Sequence, residues 1–479
     1  MANSKWRKTV CVRVLACSAT MAASSAQTFT TLTSFDNYNG AKPGNMALVQ
    51  GLDGNYYGTT EGGQGFQGGR GYGSIFRISP AGALTTLDSF GLSENYGAMP
   101  SAGLLQVLNG DFYVTTCSGG STMGSTCGLA YGYGTVLKMT SGGALTTLWI
   151  FNSTDGAAPN SALVQDASGN LYGTTAQGGA YNYGTIFRIL PNGVLTNLYS
   201  FSGPDGVNPQ GLALGIDGDF YGTTAFGGDT YHGQDAIGVG TVFKINALGT
   251  LTTLYNLNST SGESPYAGLT LGGDGDFYGT TYISGAKGYG TVFKITRGGR
   301  LTVLHDFDDT DGGFPSGGLV SANDGNLYGT TLQGGAFAYG TIFRVTPDGT
   351  FTSLFTFSSP SQEGYQPLGT MLEGTDGNFY GTTWYGGSNN LGVVFRFSVG
   401  LPPFVKSLPH LGRVGDPVDI LGTDLTDATS VSFHGTAAVF TVVSASEIST
   451  TVPAGATTGF IKVTTPGGTL SSGGPFYVQ

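Results

Sequence analysis

GNLYGTTAQGGAYNYGTIFRILPNGVLTNLYSF, Gly169 to Phe201, contains three short segments in a row: Leu171-Tyr172-Gly173-Thr174-Thr175, Thr185-Ile186-Phe187-Arg188-Ile189 and Leu195-Thr196-Asn197-Leu198-Tyr199. Each is rich in aromatic or β-branched residues, and Gly, Asn or Pro separates them, which is the pattern of strands joined by tight turns. The apolar run Ala162-Leu163-Val164-Gln165 precedes them. Four strands in about fifty residues is the content of one propeller blade.

The same order recurs along the chain. A Tyr-x-Thr-Thr tetrad starts at Tyr57, Tyr113, Tyr172, Tyr221, Tyr278, Tyr328 and Tyr380, and self-similarity at that period marks a propeller or solenoid. Before each tetrad stands a turn: Asp53-Gly54, Asp217-Gly218, Asp274-Gly275, Asp324-Gly325 and Asp376-Gly377 in five units, Asn109-Gly110 and Ser168-Gly169 in the others. Such dipeptides supply the positive φ of a two-residue hairpin. A Gly-x-x-Pro segment opens each unit, from Gly40-Pro43 to Gly364-Pro367, and fits the crossover between blades. After Val393-Val394-Phe395-Arg396-Phe397 the seventh unit lacks its fourth strand, while Phe29-Thr30-Thr31-Leu32-Thr33-Ser34-Phe35 is a fourth strand with no unit before it. The expected fold is therefore all-β: a seven-bladed β-propeller whose N-terminal strand closes the last blade, removing exposed sheet edges.

Glycine accounts for 84 of 479 residues and charged residues for only 10%, but the glycines are periodic and the 12% aromatic content supplies a core, so disorder is not expected. Residues 1–26 carry Lys5, Arg7, Lys8 and Arg13, then a short apolar stretch ending in Ser24-Ser25-Ala26, and read as a secretory signal peptide. Val14-Leu15-Ala16-Cys17 loosely resembles a lipoprotein cleavage box, so both modes of cleavage stay open. Removal after Ala26 leaves 15 basic against 30 acidic residues, a net of about −15. That balance disfavours nucleic acid and anionic membranes. No apolar run is long enough to span a bilayer. Cleavage also leaves Cys117 and Cys127 as the remaining cysteines, either a disulfide in an oxidising compartment or a metal pair that lacks a nearby His.

With turn, tetrad, Gly-Gly loop and Gly-Thr-Ile/Val-Phe-Arg/Lys strand repeated in order from Thr28 to Ser398, the chain resembles the bacterial GloVer tandem repeat. The resemblance implies a secreted or surface protein and carries no catalytic residues with it. After Pro402-Pro403, the segments Gly415 to Leu425, Ser430 to Ala438, Val452 to Ala456 and Thr458 to Val463 resemble an IPT/TIG domain, an immunoglobulin-like β-sandwich, which implies a spacer or interaction module. The expected domains are 1–26 signal, 27–399 propeller and 400–479 IPT/TIG. Gln479 follows neither an apolar tail nor a basic stop, so the mode of anchoring stays open.

Trp384 and Tyr385 open the seventh Gly-Gly loop, the most aromatic departure from the repeat, and with Tyr231 they are candidates to stack on a ligand. Glu61 is the one acid directly after a tetrad. Tyr72, Tyr133, Tyr183, Tyr289 and Tyr339 share one place before Gly-Thr, which points to packing between blades. The cations Arg77, Lys138, Arg188, Lys244, Lys294, Arg344 and Arg396 point to structural pairing with the Asp-Gly turns. Asp306, Asp308, Asp309 and Asp311 are a weak calcium candidate, with a solvated acidic turn favoured. No nucleophile elbow, zinc or P-loop motif occurs, and no cofactor is expected because the repeated Trp docking motif of quinone propellers is missing. The expected function is a monomeric, non-enzymatic binding or scaffold protein presenting an aromatic, glycine-rich face to a polysaccharide or surface protein. The alternative is a secreted carbohydrate-active enzyme with its site at the channel mouth.

Overall fold

The computed structural model describes residues 27–479 except 45–46, 64–70, 92–96, 101, 121–126, 128–131, 234–237 and 359–361. The expected signal peptide, residues 1–26, lies outside the described residues. The chain is all-β. Seven repeated antiparallel sheets of four strands follow the sequence units, the third with an extra short strand. The first comprises Val49–Gln50, Tyr56–Thr60, Ser74–Ile78 and Leu84–Ser89. The seventh takes Leu372–Glu373, Phe379–Thr383 and Val393–Ser398 from its own unit and Thr28–Ser34 from the N-terminus, with Thr28 opposite Ser398 and Ser34 opposite Val393. Turns between first and second and between third and fourth strands lie at one end of every sheet. Gly-Gly loops and Gly-x-x-Pro segments lie at the other.

Each member of the tetrad has a separate task. The Tyr is buried and its hydroxyl donates to an Asp of its own turn at 2.6–3.0 Å in six units, as in Tyr57 to Asp53 and Tyr278 to Asp274. Unit 3 has Ser168-Gly169 at the turn and uses Asp166 instead. The first Thr crosses to the next unit: Thr115 Oγ1 donates to Ser161 O (3.2 Å), Thr223 to Ala267 O (2.8 Å) and Thr280 to Gly317 O (3.0 Å). The second Thr ties its own unit together. Thr175 Oγ1 donates to Gln177 O, accepts from the Thr185 N–H and lies 2.8 Å from Thr185 Oγ1, with both threonines fully buried.

The glycines of the motif follow from that knot. A Cβ on Gly156 would sit 2.6 Å from Thr175 Cγ2, and the same holds for Gly40 against Thr60 and Gly312 against Thr331 at 2.7 Å. The Gly before each third strand faces the Pro of the next unit: a Cβ on Gly184 would lie 2.6 Å from Pro209 Cδ, and one on Gly392 would lie 2.7 Å from Pro43 Cδ. The tetrad Gly lies under the Phe of the third strand, so that a Cβ on Gly279 would approach Phe293 Cζ to 2.6 Å. Unit 2 breaks this rule twice in compensation: Val114 replaces the Gly and Leu137 replaces the Phe, both fully buried.

Sheets pack face to face through aromatic pairs. Tyr57 meets Phe112, Tyr172 meets Phe220, Tyr221 meets Phe277 and Tyr328 meets Phe379, with centroids 4.1–4.4 Å apart. The seventh unit meets the first in the same way: Tyr380 stacks on Tyr56 at 4.0 Å, and Gln50 exchanges two hydrogen bonds with Thr375.

The C-terminal domain is an Ig-like sandwich of two four-stranded sheets, with Val418, Ile420, Val431, Phe433, Ile448, Ile461, Val463 and Phe476 in its core. Expected as a spacer or interaction module, it packs on the turn ends of the repeat sheets. Ser446 Oγ donates to Leu52 O (2.7 Å), Phe404 N to Thr375 O (2.9 Å), and Asn323 Nδ2 to Pro402 O (2.9 Å). Leu411 and Tyr477 join a cluster with Leu212, Leu214 and Phe220.

Removing residues 27–36 exposes the edge of Val393–Ser398, and the truncated chain is expected to aggregate or melt at a markedly lower temperature; a monomer with an unchanged melt contradicts this. The unit 2 compensation predicts that Gly279→Val alone costs about 1–3 kcal/mol by overpacking. Adding Phe293→Leu should return part of it, measured as a coupling energy in a double-mutant cycle.

Candidate functional site

The loop end is built on a strained residue repeated seven times. The third residue of every Gly-x-x-Pro is left-handed although none is glycine: Lys42, Met99, Ala158, Asn208, Ser264, Phe314 and Gln366 have φ between 52° and 58°. That conformation costs about 1–2 kcal/mol for an L-residue and persists because both backbone groups are held. The N–H donates to the preceding unit, as in Lys42 to Leu391 O, Asn208 to Tyr183 O and Gln366 to Tyr339 O. The carbonyl accepts from the residue just after the tetrad, as in Glu61 to Lys42 O, Tyr282 to Ser264 O and Trp384 to Gln366 O. Each unit thus sets two side chains next to each other on a fixed backbone. The pairs Lys42/Glu61, Ser264/Tyr282, Phe314/Leu332 and Gln366/Trp384 show how freely those side chains vary.

At the seam of units 7 and 1 these positions bring three of the expected residues together. Lys42 Nζ stands 5.5 Å from the Trp384 ring and 5.8 Å from the Tyr385 ring. Tyr385 stacks on Tyr365 at 5.4 Å, and Tyr365 meets Tyr339 edge-on at 5.2 Å. Burial pushes the Glu61 carboxyl up to about 7, partly opposed by the Lys42 charge. Lys42 is the one charged group that acts on Glu61 among the described residues. Tyr231 lies elsewhere: its hydroxyl donates to Tyr183 at 2.6 Å and its ring covers Gly203.

The remaining candidates are placed as follows. Tyr72, Tyr133, Tyr183, Tyr289 and Tyr339 sit between units, their carbonyls holding the left-handed residue of the next. Lys138, Lys244 and Lys294 pair with Asp111, Asp219 and Asp274 at 2.7–3.3 Å. In the acidic turn the carboxylates are taken up locally: Asp306 accepts from Ala286 N, Asp311 meets His305 at 2.9 Å, and the Thr310 hydroxyl and Lys287 hold the Asp308 carboxyl far below its usual range. Asp309 adopts a φ of 70° in the same turn. Cys117 and Cys127 are paired, with Cα atoms 6.2 Å apart.

Sequence reasoning missed a cavity of about 360 Å³ between units 6 and 7 and the Ig-like domain. Lys406 donates to Glu373 O there, and His410 lines the wall. Burial drives the Glu373 carboxyl up and the Lys406 ammonium down, each opposed by the other's charge. The one available signal was Glu373 standing where other units have Gln50, Gln106 and Gln165.

The model of the Gloeobacter/Verrucomicrobia repeat matches residues 123–235 and 230–401, and that of the IPT/TIG domain matches residues 404–478. No curated protein matches the chain. Among solved structures, a fungal alcohol oxidase of the AA5 family in complex with copper is 13% identical, covering 94% of this chain and 98% of its own, with a TM-score of 0.49. A gluconolactonase from Xanthomonas campestris is 14% identical over 55% of this chain and 78% of its own, with a TM-score of 0.36. A putative 6-phosphogluconolactonase from Bacteroides uniformis is 18% identical over 67% and 87%, with a TM-score of 0.41. Likenesses this distant carry no argument about activity.

A folded-state carboxyl near 7 against about 4.5 unfolded means that folding favours the protonated Glu61, so stability falls as pH rises from about 4.5 to 7. Glu61→Gln should remove about 1–3 kcal/mol of that slope, read as a smaller melting-temperature difference between pH 5 and pH 8 than in the parent. Equal slopes contradict the assignment.

Proposed function

The chain belongs to the Gloeobacter/Verrucomicrobia repeat family and carries a C-terminal IPT/TIG domain, and on that footing we propose that it is a secreted bacterial binding or scaffold protein. In this reading residues 1–26 are a signal peptide, residues 27–399 form a closed seven-bladed propeller, and residues 400–479 are a docked base for it. The loop end is the binding face, and its partner is a polysaccharide or a surface protein engaged by a monomer outside the cell. Cys117 and Cys127 form a disulfide suited to that compartment.

The observation that carries the reading is the set of seven left-handed residues and their neighbours after the tetrads. The backbone is the same in every unit while the side chains run from Lys42 to Phe314 to Trp384, which is how a rigid scaffold displays variable contacts. The Ig-like domain occupies the turn end, leaving the loop end to a partner. The alternative, a carbohydrate-active enzyme at the channel mouth, needs a pair of carboxyl groups roughly 5–10 Å apart. Glu61 has the raised proton affinity of a general acid but, among the described residues, no carboxylate acting on it.

Trp384→Ala with Tyr385→Ala is expected to weaken a ligand found on a glycan array by about tenfold or more, since such aromatic anchors dominate binding, with the melt nearly unchanged. A double variant that loses stability and keeps its affinity makes the pair inter-unit packing. Hydrolysis of a glycan that is lost in Glu61→Gln favours the enzyme.

A further inference from the structure

We infer that the cavity where all seven units converge, at the loop end of their first strands, binds the terminal ring of an uncharged glycan between Tyr266 and the amides of Asn160 and Gln210. This rests on the loop end being the binding face and adds the ligand class and the residues that read it.

The cavity lies just past the Gly-x-x-Pro prolines, where each chain enters its first strand. Its floor is backbone and small side chains: Gly103 faces Ala47, Gly211 faces Gly268, and Gly318 faces Thr370. Four of the residues directly after a proline line it, all in consecutive units, 3 to 6. Asn160, Gln210 and Tyr266 occupy that place in units 3, 4 and 5, whereas unit 1 has Gly44 and unit 6 has Ser316.

The chemistry of the lining selects the ligand. Among the described residues, no Asp, Glu, Lys, Arg or His lines the cavity, so none of them compensates a charge taken out of water. The amide nitrogens are already used within the wall: Asn160 Nδ2 donates to Asn208 Oδ1 (3.3 Å) and Gln210 Nε2 to Asn208 O (2.9 Å). The Asn160 Oδ1 oxygen is buried with no hydrogen-bond partner. An unmet buried acceptor calls for a donor. In the next unit Tyr266 is 38% exposed, an aromatic face for an apolar surface. Hydroxyl donors for the buried acceptor together with a C–H face for the ring describe a neutral pyranose.

Size limits how much of the glycan enters. At about 240 Å³ the cavity is smaller than the roughly 300–1,000 Å³ of pockets that enclose drug-sized ligands. It therefore takes one ring at the end of a chain. Tyr266 continues outward to Tyr282 at 5.1 Å and on to Phe314 at 5.4 Å, a track along which the following sugars can lie.

The test is titration calorimetry of the full chain with cellohexaose, xylohexaose and mannohexaose, and with the acidic hexamer of galacturonic acid. Binding of at least one neutral hexamer is expected, at least tenfold tighter than the acidic one, with Tyr266→Ala and Gln210→Ala each raising Kd about tenfold. Gln210→Ala removes little volume and serves if Tyr266→Ala fails to fold. A preference for the acidic hexamer overturns the inference, as does failure of every neutral hexamer to bind. Unchanged Kd in both variants also overturns it, and if Trp384→Ala with Tyr385→Ala then abolishes binding, the loop-end reading stands without the channel site.

Discussion

The hydroxyl of the last tetrad threonine is the group on which the rest of the structure depends. In unit 3, the fully buried Thr175 Oγ1 donates to Gln177 O and accepts from the buried Thr185 N–H. An unpaired buried group costs about 1–3 kcal/mol, so neither loop is free to move away. The methyl of the same residue fills the space beside Gly156. The knot thereby fixes the Gly-x-x-Pro segment that follows the preceding sheet, and with it the left-handed residue whose N–H reaches back to that sheet. Strand pairing, sheet packing and the geometry of the loop end are consequences of one motif repeated.

Fixing the backbone this firmly is what lets the loop end vary. The left-handed position accepts Lys42, Ala158 or Phe314 because its conformation is held by the N–H and carbonyl and not by the side chain. A scaffold of this kind can change what it displays without altering how it folds. The opposite end is committed differently: Ser446, Phe404 and Tyr477 press the Ig-like domain onto the turns. The two ends of the repeat region thus have separate uses, one structural and one outward-facing.

Much of the fold was legible because its signals are local. The Asp-Gly turns, the tetrad period and the orphan strand at Phe29 each identify themselves within a few residues, and the lysines of the third strands could be assigned to the turns by spacing alone. What was not legible depends on residues that meet only once the sheets are stacked. The left-handed positions have no composition signature, since their strain is met by another unit. Val114 and Leu137 look like ordinary apolar residues until each is seen against its counterpart. Trp384 and Glu61 stood out as departures from the repeat, but that Lys42 joins them required the seventh unit to lie beside the first. Asn160, Gln210 and Tyr266 share a cavity for the same reason. The acidic turn looked denser in sequence than it is in effect, because Lys287, His305 and Ala286 N take up its carboxylates.

Thermal unfolding of Thr175→Val, with Thr146→Val on an exposed strand position as control, addresses the knot most directly. Valine keeps the shape and removes the hydroxyl, leaving Gln177 O and the Thr185 N–H without their partner, a loss of about 1–3 kcal/mol for the buried N–H. A melting temperature lowered by several degrees in Thr175→Val and unchanged in Thr146→Val is the expected result. Equal melts for the two variants and the parent would contradict the central role given to the tetrad threonine.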